Sequence, residues 1–211
     1  MNERQQLTLR MRAAAMGVAL DPAAADMLLA YQALMIKWNR TYNLTAIRDP
    51  EEMLVQHLLD SLVVAPLLPH GPQTLADVGS GGGLPGIPLA IARPELQVTL
   101  IETSSKKSAF QQQVKIELGL SNVSIYSGRV EDYEKKQSFD GVISRAFAEI
   151  KDFINWSGDL VKPTGRLYAM KGIYPEAEVA ALPAGWTVLG SQSLAVAGLD
   201  AQRHLLTFAR S

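Results

Sequence analysis

The chain has 211 residues, of which 47% are hydrophobic and 19% charged; this is typical of a globular protein with a sizeable core, and no run of about twenty apolar residues predicts a membrane span. The absence of cysteine excludes disulfides and thiolate chemistry, and His57, His70 and His204 show no ligand spacing, so we expect a cytoplasmic protein without a metal site. With a formal net charge of −1, the chain as a whole has no positive charge to attract nucleic acid, so any RNA contact needs a local basic surface.

The first predicted helix covers residues 22–39. Asp21 can accept hydrogen bonds from the free N–H groups at its start, and Pro22 suits the first helical position. Apolar side chains at steps of four, three and four form one stripe along it: Met27, Tyr31, Leu34 and Trp38. The following stretch, 37–45, mixes polar and aromatic residues, so we expect a loop or an irregular turn there.

The second predicted helix begins at Asp49, with Pro50 in its first turn and Glu52 at the capping-box position. Three leucines at four-residue steps give its buried face, Leu54, Leu58 and Leu62. Three polar side chains share another face because they lie one turn apart: His57, Asp60 and Ser61. They form the edge of a polar pocket, or His57 is simply a satisfied histidine at a domain junction.

Residues 70–72 combine glycine and proline and mark the predicted boundary between an amino-terminal helical extension (1–70) and a core domain (71–211). Beyond them, predicted strands at 75–78, 98–101, 123–126, 140–144 and 166–170 alternate with predicted helices at 87–92, 106–118 and 153–161. Two last strands, 186–189 and 204–209, have no convincing helix between them, so they should be antiparallel to each other. The pattern predicts an α/β protein with a mostly parallel, seven-stranded sheet that ends as a mixed sheet.

The stretch 76–86 follows the first strand of the core and contains an acid and a series of glycines. Gly81-x-Gly83-x-x-Gly86 matches the dinucleotide fingerprint, whereas Asp77-x-Gly79-x-Gly81-x-Gly83 resembles the first motif of S-adenosylmethionine-dependent methyltransferases. The second interpretation also accounts for Asp77 and for a proline, Pro85, in the first turn of the next helix. A structural turn without a ligand is disfavoured, because so many glycines cost backbone entropy.

Ligands on an open parallel sheet bind beyond the carboxyl ends of its strands. Glu102 follows the second strand, 19 positions after Gly83, and suits the hydroxyls of a ribose. Residues 128–132 follow the third strand and can bracket an adenine edge, and Ser144-Arg145-Ala146-Phe147 follows the fourth. The ribose acid fits both NAD and S-adenosylmethionine, but the antiparallel end of the sheet favours a methyltransferase.

Nine short strings carry a family resemblance: Lys37-Trp38-Asn39-Arg40, Tyr42-Asn43-Leu44-Thr45, Arg48-Asp49-Pro50, His57 with Leu59-Asp60-Ser61, Asp77-Val78-Gly79, Gly83-Leu84-Pro85-Gly86-Ile87-Pro88-Leu89, Ser144-Arg145-Ala146-Phe147, Lys171-Gly172 and Arg203-His204. With these, the chain resembles the bacterial small-subunit ribosomal RNA guanine-N7 methyltransferases, the glucose-inhibited division protein B family. The resemblance runs from about residue 20 to near the end. Ser80 and Gly82 stand where members often carry Thr and Pro, and Glu102 stands where a shorter Asp is common.

The resemblance implies a Rossmann-like S-adenosylmethionine-dependent enzyme that methylates N7 of guanine 527 in 16S rRNA. The implied cofactor-binding residues are Asp77, Gly79, Gly81, Leu84, Glu102, Val130, Glu131 and Arg145. The implied RNA-side residues are Asn39, Asn43, His57, Asp60 and Lys171. Guanine N7 carries a lone pair and no proton, so we expect Arg145 to act by positioning, without a general base.

The implied partner is 16S rRNA, within the small ribosomal subunit or an assembly intermediate, and we expect the enzyme to be a monomer without membrane contact. Two other functions remain open on the residues alone. One is an NAD-dependent oxidoreductase on a similar sheet, and the other is a non-catalytic rRNA-binding protein that retains the cofactor fold. The chemistry of the residues also leaves methyl transfer to a protein open.

Overall fold

Two helices form the amino-terminal part of the computed structural model, which describes residues 3–71, 73–145 and 149–211. Helix α1 covers Glu3–Ala15, where the sequence suggested no element, and helix α2 covers Pro22–Tyr42. Asp21 caps α2 as predicted, since its carboxylate accepts a 2.7 Å hydrogen bond from Ala24 N. The helix ends three residues later than predicted, where Asn43 takes a left-handed conformation (φ 50°).

The next helical stretch contains a π-helical turn that the sequence did not predict. It consists of α3 (Pro50–Met53), the π segment (Leu54–Leu59) and α4 (Asp60–Leu62), and a 3₁₀ turn follows at Ala65–Leu67. Asp49 caps its start by accepting hydrogen bonds from Glu51 N and Glu52 N, both 2.9 Å long. π-Helical turns are rare and frequently found at functional sites, so the π segment marks this stretch for attention.

A seven-stranded sheet forms the centre of the molecule, in the order β3-β2-β1-β4-β5-β7-β6. Its strands are β1 (Gln73–Val78), β2 (Leu96–Glu102), β3 (Val123–Ser127), β4 (Phe139–Arg145), β5 (Val161–Lys171), β6 (Trp186–Ser193) and β7 (His204–Arg210). Strands β1 to β5 are all parallel to one another, and β7 is antiparallel to both β5 and β6. The predicted mostly parallel sheet with an antiparallel carboxyl-terminal strand is therefore confirmed.

The remaining helices connect the strands: α5 (Gly86–Ala92), α6 (Ser105–Leu118), α7 (Ile150–Ser157) and α8 (Glu176–Ala180). Helix α7 is shorter than the predicted 153–161 helix at its carboxyl end, because a 3₁₀ turn, Gly158–Leu160, leads into β5 at Val161. Within the described ranges, none of the helices has both the length and the apolar character needed to cross a membrane.

Alternate residues of the strands contribute to two apolar clusters, one on each face of the sheet. Leu75 and Leu100 belong to the cluster that includes Leu9 of α1 and Leu28 of α2. The other cluster contains Ala76, Ile101, Val142, Phe153 of α7 and Phe208. The amino-terminal helices thus pack on the same face as α5 and α6, and their apolar core is continuous with that of the sheet.

Candidate functional site

The loop after β1 has three glycines in the left-handed region, with φ of 69° at Gly79, 55° at Gly81 and 90° at Gly83. Only glycine adopts this conformation at little cost. A Cβ on Gly83 would lie 2.3 Å from Ile87 Cδ1, so this position also lacks space for a side chain. The loop turns the chain sharply between β1 and α5, with Pro85 just before the helix rather than in its first turn.

Asp77 holds this loop from inside the protein. Its Oδ2 accepts a 2.7 Å hydrogen bond from Gly86 N, the first residue of α5. A Cβ on Gly86 would lie 2.8 Å from that oxygen and 2.4 Å from Leu100 Cδ2, which explains the glycine. Burial raises the pKa of Asp77 to about 7, and its Oδ1 has no hydrogen-bond partner among the described residues.

Glu102, at the end of β2, joins two backbone segments. Its Oε2 accepts a hydrogen bond from Gly81 N (2.7 Å) and its Oε1 accepts one from Ser104 N (2.8 Å). A carboxylate offers about four lone-pair sites, so acceptor capacity remains on both oxygens. Glu102 can therefore hold the glycine loop and still accept hydrogen bonds from the hydroxyls of a ribose.

Side chains from two helices fix the outer side of the loop. Tyr31 of α2 is fully buried and its hydroxyl donates a 2.6 Å hydrogen bond to Gly82 O. Gln111 of α6 donates to Ser80 Oγ and to Gly81 O, both at 2.8 Å. The hydroxyl at position 80 therefore has a buried partner, and the amino-terminal region contacts the glycine loop directly.

A cavity of about 370 Å³ opens beyond the ends of β1, β2 and β3. Three of the predicted cofactor residues line it, namely Gly79, Val130 and Glu131. Asp77, Gly81 and Leu84 belong to the loop beside it and shape it through backbone contacts. The sequence interpretation missed two lining side chains, Thr103 and Trp156; the first directly follows the ribose acid, whereas the second comes from α7 and has no local signal.

A second cavity, of about 290 Å³, lies at the ends of β4 and β5. It is lined by three predicted residues of the RNA side and by Arg145: His57, Asp60, Lys171 and Arg145. Arg145 Nη1 donates to Gln56 O at 2.7 Å and to Asp60 Oδ2 at 3.0 Å. Asp60 is buried, and its Oδ1 also accepts a 2.7 Å hydrogen bond from Arg203 Nε. One carboxylate thus orients two guanidinium groups. Arg145 was also predicted to bind the cofactor, but it lines this cavity and not the first one.

The π segment positions the residues on the helical wall of this cavity. Gln56 and His57 belong to this segment, Asp60 follows it directly, and all three line the cavity. His57 Nε2 lies 2.9 Å from Thr45 Oγ1. Burial, together with the Arg145 guanidinium, lowers the pKa of His57 to about 4, so the imidazole is neutral at pH 7.

The two predicted asparagines lie beside the cavity, outside its lining. Asn39 is buried and holds the 43–47 loop, since its Oδ1 accepts from Thr45 N (3.0 Å) and its Nδ2 donates to Ile47 O (3.2 Å). Asn43 is exposed and accepts a 3.1 Å hydrogen bond from Arg48. Asn39 therefore fixes the loop that carries Thr45.

Lys171 reaches the cavity from the end of β5 and forms an ion pair with Glu178 of α8 (3.0 Å). Glu178 Oε2 also accepts a 2.6 Å hydrogen bond from Ile150 N at the start of α7. The sequence interpretation missed Glu178 because it lies in a short helix without an apolar pattern. Ala146 and Phe147 of the predicted Ser-Arg-Ala-Phe string lie outside the described residues.

Comparison with known proteins identifies the family. A family profile described as rRNA small subunit methyltransferase G matches residues 24–206. The chain is 58% identical to ribosomal RNA small subunit methyltransferase G of Azoarcus sp. (strain BH72), over 93% of this chain and 92% of that protein. It is 53% identical to the protein of the same name from Neisseria meningitidis serogroup C, over 96% of this chain and 97% of that one.

The chain belongs to the rRNA small subunit methyltransferase G family. Solved structures agree in fold: an S-adenosylmethionine-dependent methyltransferase from Aquifex aeolicus has a TM-score of 0.61 at 18% identity, covering 79% of this chain and 96% of its own. TYW2 from M. jannaschii, solved in complex with AdoMet, has a TM-score of 0.56 at 16% identity, covering 70% and 73%. Membership of the small subunit methyltransferase G family makes the chain an enzyme, supports S-adenosylmethionine as its cofactor and leaves the oxidoreductase alternative without support.

Proposed function

We propose that the protein transfers a methyl group from S-adenosylmethionine to N7 of guanine 527 in 16S rRNA. One observation carries the proposal: the glycine-loop cavity and the Arg145 cavity open at the same, carboxyl edge of the sheet, over neighbouring strands. Ligands of open α/β sheets bind at this edge. The first cavity suits the methyl donor, and the second has the charge to receive an RNA nucleotide.

The residues of the first cavity fit S-adenosylmethionine. Its volume of about 370 Å³ falls in the usual range of small-molecule pockets. Glu102 does not itself line the cavity, but its chain neighbours Ile101 and Thr103 do, and it has acceptor capacity left for the ribose. Val130 and Glu131 would flank the adenine, and the loop at Gly79 and Gly81 lets the methionine part approach the backbone. The cofactor, when bound, supplies an electrophilic methyl group on its sulfonium.

Arg145 and its neighbours suit the placement of a guanine. A guanidinium can donate to guanine O6, beside N7, or to a phosphate, and Asp60 and Gln56 O hold it in one orientation. N7 attacks through its own lone pair, so the residues need only align it and exclude water. His57 is neutral and buried, and it serves to place the 43–47 loop through Thr45.

Methylation assays on small ribosomal subunits from cells that lack the enzyme test the proposal. We expect transfer of a radiolabelled methyl group to the 16S rRNA, with chain cleavage after borohydride and aniline treatment at one guanine, because N7-methylation weakens that ring. Glu102→Ala should lose cofactor affinity measured by calorimetry with S-adenosylhomocysteine, whereas Glu95→Ala, an exposed acid at the opposite end of β2, should keep it. Label on another base, or on ribosomal protein, would contradict the proposal.

A further inference from the structure

Trp156 occupies an unusual position for a large aromatic side chain. It lies near the end of α7, where Phe153 and Ile154 are buried against the sheet, yet it is 40% exposed. It lines the 370 Å³ cavity together with residues at the strand ends. Burying a tryptophan ring is strongly favourable, so a ring left partly exposed at a cavity wall offers apolar area to a ligand.

The other residues that line the cavity are glycine, polar or aliphatic, the aliphatic ones being Val78, Ile101 and Val130. Gly79 and Gly128 present backbone, and Thr103 and Glu131 present oxygen atoms. Trp156 therefore provides its one aromatic wall among the described lining residues. A flat, π-bonded ligand group stacks on such a ring, and stacking between a base and an aromatic side chain contributes substantially to affinity.

We propose that Trp156 is a cofactor-binding residue whose indole ring stacks on the adenine of S-adenosylmethionine. This inference rests on the proposed function, because it assigns a ligand group to the same cavity. The adenine edge would face the backbone at Gly128 and Val130, while the ring face would pack on the indole. Aromatic character at position 156 should therefore matter for affinity, and hydrogen-bonding capacity should not.

Calorimetry with S-adenosylhomocysteine as the probe tests the assignment. We expect Trp156→Ala to weaken binding about tenfold or more, and Trp156→Phe by less than about threefold, because phenylalanine keeps a stacking face. The matched control is Trp186→Phe, since Trp186 lies on β6 under the Arg210 guanidinium, outside the cavity, and its loss should leave affinity unchanged. Trp156→Ala should lower the affinity for adenosine by the same factor as the affinity for S-adenosylhomocysteine.

Tryptophan emission gives a second readout, independent of whether Trp156→Ala folds. The chain has three tryptophans, and the ligand-induced change in emission should disappear in Trp156→Phe and persist in Trp186→Phe. Unchanged affinity in Trp156→Ala, or a full emission change in Trp156→Phe, would overturn the assignment while leaving the proposed function intact. A wild-type protein that binds no S-adenosylhomocysteine would overturn both.

Discussion

At the scale of single residues, Arg145 has the most constrained environment of the proposed RNA side. Its Nη1 is held by Gln56 O and by Asp60, and Asp60 in turn holds Arg203. A buried carboxylate paired with two guanidinium groups keeps both in a fixed geometry. Removing Arg145 leaves Asp60 with Arg203 as a partner, so the change should reduce the stability of the protein less than its methylation rate.

We therefore expect Arg145→Ala to lower the methylation rate on small ribosomal subunits about 100-fold, because small misplacements of reacting groups have effects of this size. Its affinity for S-adenosylhomocysteine should change by less than about threefold, since Arg145 does not line the first cavity. Single-turnover assays and calorimetry measure the two quantities. Arg145→Lys is the matched variant, because it keeps the positive charge but lacks the planar set of N–H donors of a guanidinium. A rate equal to that of wild type in Arg145→Ala would refute the role.

His57 should make the protein less stable as the pH falls. Its pKa is lowered from 6.5 to about 4 in the folded state, so between these values the unfolded chain binds a proton that the folded protein does not. The free energy of unfolding then decreases as pH falls through this window, by about 3 kcal/mol at most. In urea unfolding at several pH values, His57→Gln should show a smaller decrease than wild type. An identical pH profile would show that His57 titrates normally.

Asp77 contributes a pH dependence of stability with the opposite sign to that of His57. Its pKa is raised from 3.8 to about 7, so between these values the folded protein binds a proton that the unfolded chain has lost. The free energy of unfolding should therefore decrease as pH rises from about 4 to 7. Asp77→Asn keeps an acceptor for Gly86 N and removes this dependence. We expect it to be more stable than wild type at about pH 8, with the difference vanishing near pH 4; equal stability at both would contradict this.

At the scale of elements, the strands were the most predictable part of the chain. Each predicted strand lies within an observed one, because short apolar runs bounded by glycine, proline and polar residues specify strands locally. Helix α1 was missed because it buries only Leu9 and Ala13, too few residues for a clear period. The π segment could not be predicted, since its buried leucines fit an α-helical pattern equally well.

In the candidate site, too, locally encoded features could be predicted and those that depend on tertiary packing could not. Motifs next to strand ends placed Asp77, Glu102 and Arg145 near the carboxyl edge of the sheet, since topology alone brings those ends together. Contacts from distant segments had no sequence signal. The Tyr31–Gly82 hydrogen bond and the Lys171–Glu178 ion pair depend on tertiary packing.

The extra residue of the π segment should be needed for catalysis. Deleting Gln56, the least buried residue of this segment, would allow a continuous α-helix and rotate His57 and Asp60 relative to each other. We expect methyl transfer to fall about 100-fold, because Asp60 would no longer orient Arg145. Binding of S-adenosylhomocysteine, measured by calorimetry, should persist. The control is Gln56→Ala, which keeps the chain length and the carbonyl that Arg145 uses; equal rates in the two variants would contradict the expectation.

At the scale of the whole molecule, charge is concentrated rather than abundant. The net charge is −1, yet Arg145, Lys171 and Arg203 meet in one cavity. Contacts with single-stranded phosphates change log affinity by about 0.7 per contact for each tenfold change in salt. We expect the logarithm of the affinity for small ribosomal subunits to fall by about 2 for each tenfold rise in salt, and by about 0.7 less in Arg203→Ala. Filter binding over a salt series measures this; an equal slope in the variant would exclude Arg203 from phosphate contact.

Helix α2 has a consequence for how the two cavities communicate. Its 21 residues make a rod about 30 Å long. Tyr31, near its middle, is bonded to Gly82 of the donor-side loop, and Asn39, two turns on, anchors the loop whose Thr45 contacts His57. One helix therefore supports a loop beside each cavity. A change that tilts α2 should disturb both cavities together, so neither can be redesigned independently of the amino-terminal helices.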